Sequence, residues 1–288
     1  MIAAVEHTQT GTITLTITIP WVHVAETKES VITELVGQIE LPGFRKGKAP
    51  RDVALKKLDA GKIYEDVMQK LLPEAYSTAV KENNLHPIVL PKIEIVEAKE
   101  ETDWVVCAHT AEKPEVTLGD YKKTLREAKA AKHNKIWTPA DAGKTPAPEE
   151  EAKAKQITLG ELLDALLSVV TCQIPDILIE NEVNRGLSDL IDQTKKLGLT
   201  VDQYLSSTGR TAESVRKELG ENARRTLTLE FALEVIADKE TIFVSDDDID
   251  TAIKAAKTEE ERAALTKERY YLASILRRQK TLDFLSAV

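Results

Sequence analysis

Residues 11–20 read GTITLTITIP, and their strict alternation decides the fold of the first part of the chain. Ile13, Leu15, Ile17 and Ile19 fall on one side, and Thr12, Thr14, Thr16 and Thr18 on the other. That is the period of a half-buried strand. β-Branched residues suit a pleated surface, and Pro20 ends the run. The period then changes. Val24, Val31, Ile32, Leu35 and Ile39 keep helical spacing, which predicts a helix over about 21–37 with Gly37 near its end.

Working outward, a loop occupies residues 41–50, LPGFRKGKAP, and Pro50 suits the first turn of a short helix with Ala54, Leu55 and Leu58 inward. Residues 63–84 predict a longer helix. Tyr64, Val67, Met68, Leu71, Leu72, Ala75, Tyr76 and Ala79 form its broad apolar face, and Pro73 in mid-pattern predicts a bend. Residues 85–98 and 103–112 read as two more strands, joined by an acidic turn. Three strands and a helical layer can bury one core, so residues 1–118 form one β-α-α-α-β-β module.

Residues 126–156 change character. Ala, Lys, Glu and Pro dominate, and Ile136 and Trp137 are nearly the only large apolar residues, which is the composition of a linker. From residue 157 the pattern is helical throughout, with helices predicted at about 158–171, 176–197, 200–207, 211–238, 246–256 and 259–286. Capping-box pairs mark several starts: Thr158 with Glu161, Thr200 with Gln203, Thr258 with Glu261, and the variant Ser245 with Asp248. The fold class is therefore α+β. An N-terminal α/β domain (1–118) is joined through a linker (119–157) to an all-α C-terminal domain (158–288).

Composition narrows the function. The chain is 42% hydrophobic, 30% charged and only 5% aromatic, so its cores are mostly aliphatic. No apolar run is long enough for a membrane span, and MIAAVEHTQT lacks the basic and apolar regions of a signal peptide. A cytoplasmic location is expected, with Cys107 and Cys172 as small buried hydrophobes. A net charge of −9 argues against general nucleic-acid binding, so no DNA partner is expected, but it does not exclude a local basic patch. Catalytic signatures are lacking: the five histidines (His7, His23, His86, His109, His133) form no zinc or protease pattern, and no phosphate loop or GxSxG occurs. Cys107 and His109 share a strand face, but two ligands do not make a metal site. The acidic run Asp246, Asp247, Asp248 and Asp250 suits the first turn of a helix, where the dipole favours carboxylates, better than it suits calcium. No cofactor is expected.

The loop stands out against this background. Residues 41–62 hold seven bases (Arg45, Lys46, Lys48, Arg51, Lys56, Lys57, Lys62) against two acids, Asp52 and Asp59. Gly43 and Gly47 permit positive φ, Pro42 and Pro50 stiffen the ends, and Phe44, Arg45 and Lys46 project between them. One aromatic anchor beside cations is a recognition device for something negative. The competing reading turns Phe44 into its own core and leaves the bases as ordinary surface.

Gly43-Phe44-Arg45-Lys46-Gly47-Lys48-Ala49-Pro50 resembles the GFRxGxxP signature of the trigger factor family of bacterial ribosome-associated chaperones. IYEDV (63–67), LLPEAY (71–76) and PKIEI (91–95) follow in that family's order, and KPEVTLGDY (113–121) is similar to its exit segment. LLDALL (162–167), IPDILIENEVNRGL (174–187), GLTVDQYL (198–205) and VSDDDID (244–250) are similar to its helical chaperone domain. The resemblance implies a ribosome-binding domain at 1–118 and a client-binding domain at 158–288. It implies docking at the exit tunnel of the large ribosomal subunit through Gly43, Phe44, Arg45, Lys46, Gly47, Lys48 and Pro50. The implied partners are nascent or unfolded polypeptides, held without ATP, and the resemblance leaves room for a weak homodimer. The family normally inserts an FKBP-like prolyl isomerase between the two parts. Here 119–157 hold one Trp, one Tyr and no Phe, so no isomerase activity is expected. The competing readings are a ribosome-independent holdase, a residual prolyl isomerase, and an adaptor without clients. Leu227, Leu229, Phe231, Leu276 and Phe284 read as core more than as client contacts.

Overall fold

The structure is a computed structural model and describes residues 2–8, 10–40, 44, 45, 47, 50–133, 157–256 and 258–288. The chain divides into two compact units: Met1–Lys113 with Pro175–Leu178, and Pro114–Ile174 with Ile179–Val288.

The first unit is built on a four-stranded antiparallel sheet in the order β1-β2-β4-β3, from β1 (Ile2–His7), β2 (Thr12–Ile19), β3 (Lys92–Glu97) and β4 (Trp104–Ala111). β2 is central, with Ile17 opposite Ala3 on one side and Val106 on the other. Its alternation is realised: Leu15, Ile17 and Ile19 are fully buried while the threonines face out. The apolar face packs against α1 (Trp21–Gln38) and α3 (Ala60–Glu82), through Val24, Val31, Ile32, Ile63, Val67, Met68, Leu71 and Ala75. A short α2 (Arg51–Leu55) links the loop to α3. Helix α3 continues through Pro73, because Leu71 and Ala75 on either side stay buried.

Three sequence expectations change here. β1 is an added strand; MIAAVEH carries too little apolar alternation to announce it, and β2 supplies the pairing. The strand expected over 85–98 shrinks to Lys92–Glu97, since Pro87 and Pro91 cannot donate to a ladder. The cysteines are half-buried free thiols, and Cys107 lies on the threonine side of the sheet opposite Thr16.

The second unit contains α4 (Tyr121–His133), α5 (Leu159–Leu167), all but the first three residues of α6 (Asp176–Lys196), α7 (Val201–Thr208), α8 (Ala212–Lys239), α9 (Asp246–Ala255), α10 (Glu259–Lys267) and α11 (Arg269–Ala287). A two-stranded sheet pairs β5 (Val116–Leu118) with β6 (Val170–Cys172). β6 takes residues expected at the end of a helix; three-residue strands are too short to show a period. The helix expected over 259–286 breaks at Glu268, whose ψ of 30° leaves the helical range. Part of the linker composition is folded as well. Tyr121 and Leu125 of α4 are buried with Leu162, Leu166, Leu233, Ile236 and Leu285. The Tyr121 hydroxyl donates to Glu240 at 2.6 Å, and Lys122 pairs with the same carboxylate at 2.7 Å. Burial, then the Glu240 carboxylate, pushes the Tyr121 phenol pKa up. Residues 134–156 lie outside the described residues.

All four expected capping pairs form, and Thr211 with Ser214 adds a fifth at the start of α8. The Lys280 ammonium, then the Ser245 amide and hydroxyl, hold Asp248 at a pKa of about 2, below its ordinary 3.8. A carboxyl whose pKa falls on folding adds stability above its ordinary value and loses it as pH drops through the folded value. Wild type is therefore expected to melt above Asp248→Asn at pH 6, with the gap closing between pH 4 and 2, as followed by circular dichroism. In the first unit, Leu15→Ala is expected to cost about 2–5 kcal/mol in urea unfolding.

Candidate functional site

The loop that begins where α1 ends is fastened at its base. The Ile39 amide caps α1 by donating to the Leu35 carbonyl at 3.0 Å, and the Ile39 carbonyl accepts from the Gly47 amide at 3.2 Å. Gly47 has φ of 72°, the left-handed region where L side chains are strained. Its backbone also lies against Gly37: a Cβ at position 47 would sit 2.5 Å from the Gly37 carbonyl oxygen. Position 47 therefore demands glycine twice over.

At the other end, Pro50 is the N-cap of α2, one position earlier than its expected place in the first turn. Its carbonyl accepts from the Val53 and Ala54 amides at 3.0 and 3.1 Å. Arg51 pairs with Glu29 of α1, so the start of α2 is tied to the helix on which the loop began. Between these anchors Phe44 is 43% exposed and Arg45 is exposed, with no ion pair for Arg45 among the described residues. Phe44 does not turn into its own core, and the core cluster of this unit excludes it. The structure thus places Phe44, Arg45, Gly47 and Pro50 on one loop. Gly43, Lys46 and Lys48, which the resemblance assigns to the same site, lie outside the described residues.

Arranged this way, the loop can bury an aromatic ring in a partner and offer a forked cation to a carboxylate or phosphate. Lys56, Lys57 and Lys62 are exposed on the segment that follows.

The helical unit also exposes large apolar side chains that periodicity did not reveal. Tyr270 is 92% exposed and Phe243 74%, and Tyr271 and Ile275 are exposed beside them in sequence. Arg277 and Lys280 of α11 donate to the Ile242 and Phe243 carbonyls, which holds this segment to α11. The residues read as core behave as core or its margin. Leu227 and Phe231 are buried, and Leu229 and Phe284 pack against the central cluster. Leu276 is half-buried. A paired Tyr-Tyr at the start of a helix was the available signal for the exposed surface.

Residues 1–136 match the family model described as bacterial trigger factor protein, and residues 141–287 match the model of its C-terminus. The chain is 39% identical over 122 residues to the trigger factor of Streptococcus pneumoniae strain CGSP14, which covers 42% of this chain and 29% of that protein. The trigger factor of strain JJA is 38% identical over the same length. The chain thus matches about 29% of the length of these curated relatives. A solved structure from work on promiscuous substrate recognition in folding and assembly activities of the trigger factor chaperone superposes with a TM-score of 0.63 at 15% identity. That likeness covers 100% of this chain and 99% of the other, and it concerns the fold.

Gly47→Ala is expected to destabilise the base of the loop by about 1–2 kcal/mol from its left-handed φ alone. Amide hydrogen exchange reports it directly: the position-47 amide should exchange faster while the β2 amides keep wild-type protection.

Proposed function

Since this chain belongs to the bacterial trigger factor family, we propose that it is an ATP-independent chaperone that docks at the ribosomal exit tunnel and holds nascent chains open, aiding their folding and export. Docking runs through Gly43, Phe44, Arg45, Lys46, Gly47, Lys48 and Pro50. The observation that carries this reading is Phe44, exposed beside an Arg45 that has no ion pair among the described residues, on a loop whose base holds Gly47 against Gly37. Residues 1–118 serve as the docking part and 158–288 as the holding part, with 119–157 between them contributing α4 to the helical body. The work is done in the cytoplasm and needs no isomerase, since holding and releasing a chain requires no rotation about a prolyl peptide bond.

The mechanism follows from the side chains. Phe44 enters an apolar notch on a ribosomal protein, Arg45 forks onto a carboxylate there, Lys46 meets a carboxylate or an rRNA phosphate, and the basic surround steers approach to a polyanionic particle. The net charge of −9 limits sticking elsewhere. Emerging chains then rest on exposed apolar residues such as Phe243, Tyr270, Tyr271 and Ile275, each contact weak enough to release. That exposed surface is independent of the loop, and it favours a second reading, a holdase that works free of the ribosome.

Cosedimentation with vacant bacterial ribosomes tests the first reading. Losing Phe44 burial of about 2 kcal/mol corresponds to roughly thirtyfold weaker binding, so Phe44→Ala/Arg45→Ala should leave the pellet and wild-type binding should weaken with added salt. Equal pelleting of both would move the free holdase forward. Suppression of aggregation of an unfolded model protein tests the holding surface, and Phe243→Ser/Tyr270→Ser should reduce it without changing cosedimentation.

A further inference from the structure

The segment that leads into and through β3 leaves aliphatic surface in water. Leu90 is 88% exposed, and Ile88, Ile95 and Val96 are exposed with it. None of the four belongs to the docking loop or to the helical unit. β3 is an edge strand: among the described residues only β4 flanks it. Along such an edge every second residue turns its amide and carbonyl away from the sheet. The segment is well fixed. The Ile88 amide donates to the Ala111 carbonyl at 2.9 Å, and the Thr110 hydroxyl donates to the Val89 carbonyl at 3.2 Å.

The pairing with β4 places each side chain. Ile93 lies opposite Ala108 and Ile95 opposite Val106, and both partners are fully buried. Ile93 and Ile95 therefore share the core face of the sheet. Ile93 packs against the core, whereas Ile95 is 54% exposed and stands outside that cluster, so the core face is uncovered at this margin. Glu94 falls on the other face, opposite Cys107, with its carboxylate 3.5 Å from His109 Nε2. A bulge follows. Ile95 opposes Val106 and Glu97 opposes Val105, which leaves Val96 as the extra residue. Pro91, just ahead of β3, cannot donate to a ladder. Proline and bulge confine any added ladder to β3 itself, so pairing there is short and reversible.

Charge selects the occupant. Residues 92–103 hold Glu94, Glu97, Glu100, Glu101 and Asp103 against Lys92 and Lys99. Lys28 of α1 pairs with Glu100, and an excess of negative charge remains. This sign is opposite to that of the docking loop, and it repels nucleic acid and anionic lipid. It also disfavours a second copy, because two β3 strands side by side would bring the carboxylates of one against those of the other. What fits is an extended polypeptide whose side chains alternate, with an aliphatic one beside Ile95 on the core face and a lysine or arginine beside Glu94 on the outer face.

We propose that the β3 edge takes up a basic, aliphatic stretch of unfolded polypeptide as an added strand of the sheet. This rests on the reading that the chain holds unfolded polypeptides, and it gives the first unit a holding site separate from Phe243 and Tyr270. Main-chain hydrogen bonds accept any extended sequence there, and Ile95 and Glu94 supply the preference.

The probe is a short fluorescein-labelled peptide of alternating valine and lysine, titrated into the full-length chain and followed by anisotropy and amide hydrogen exchange. Wild type is expected to bind it, with slowed exchange at 92–97 and unchanged exchange in β1. Ile95→Ser is expected to weaken binding about fivefold, through lost burial of a half-exposed side chain. Glu94→Lys/Glu101→Lys is expected to weaken it about tenfold. Two further peptides test wild type alone, so the result does not depend on the variants folding. One is N-methylated at alternate residues, which blocks a ladder, and the other alternates valine with glutamate; both are expected to leave 92–97 unprotected. Equal binding of the N-methylated peptide overturns strand addition, and equal binding of the acidic peptide overturns the charge preference. Protection confined to α11 overturns the edge site and leaves the holding reading intact. Protection at 92–97 that grows with protein concentration in the absence of peptide overturns it in favour of a second copy. A probe that binds nowhere overturns the edge site, while suppression of aggregation, measured separately, decides the holding reading.

Discussion

Four aliphatic side chains on one strand, Ile13, Leu15, Ile17 and Ile19, organise the first unit. Burying each contributes about 2 kcal/mol, and a slip of one residue in pairing would turn all four to solvent. The register of β2 with β1 and β4 is therefore strongly specified, and so is the face on which α1 and α3 must lie. Once α1 is seated through Val24, Val31 and Ile32, its C-terminal end has a defined position, and the loop begins there.

Gly47 and Arg51 take their positions from that seating. Gly37 belongs to α1, Gly47 lies against it, and Ile39 at the helix cap takes the Gly47 amide. Arg51 returns to Glu29 of the same helix. Gly47 and Arg51 are thus both referred to one packed element. An aromatic ring held in water loses little conformational entropy when it docks, and this is how a single side chain becomes an efficient anchor. The helical unit solves a different problem. Its helix starts are fixed by side-chain caps, its centre by Leu162, Leu166, Ile236 and Leu285, and it still leaves Tyr270 and Phe243 in water.

Long periodic elements were legible in the sequence, because periodicity reports burial: β2, α1, α3 and α8 needed only their apolar spacing. The caps were legible because Ser or Thr followed by an acid or amide three positions later has one common use; Thr211 escaped because its partner is Ser214. The missed elements are those that neighbours impose. β1 is defined by pairing with β2, β6 by pairing with β5, and α4 by burial of Tyr121 and Leu125 in a segment whose composition is otherwise that of a linker. At the site, the glycines and the exposed ring were readable as a pattern. The contact between Gly47 and Gly37, ten residues apart, was not, since no local rule announces it.

The central claim is that Phe44 leaves water when the chain meets a ribosome. An environment-sensitive fluorophore on a single cysteine at position 44, in a chain with Cys107 and Cys172 replaced by serine, reads this directly. The account predicts a blue-shifted emission on adding vacant ribosomes, reversed by competition with unlabelled wild type. An unchanged spectrum while the labelled chain still cosediments would place the contact elsewhere on the molecule and contradict the loop's role as anchor.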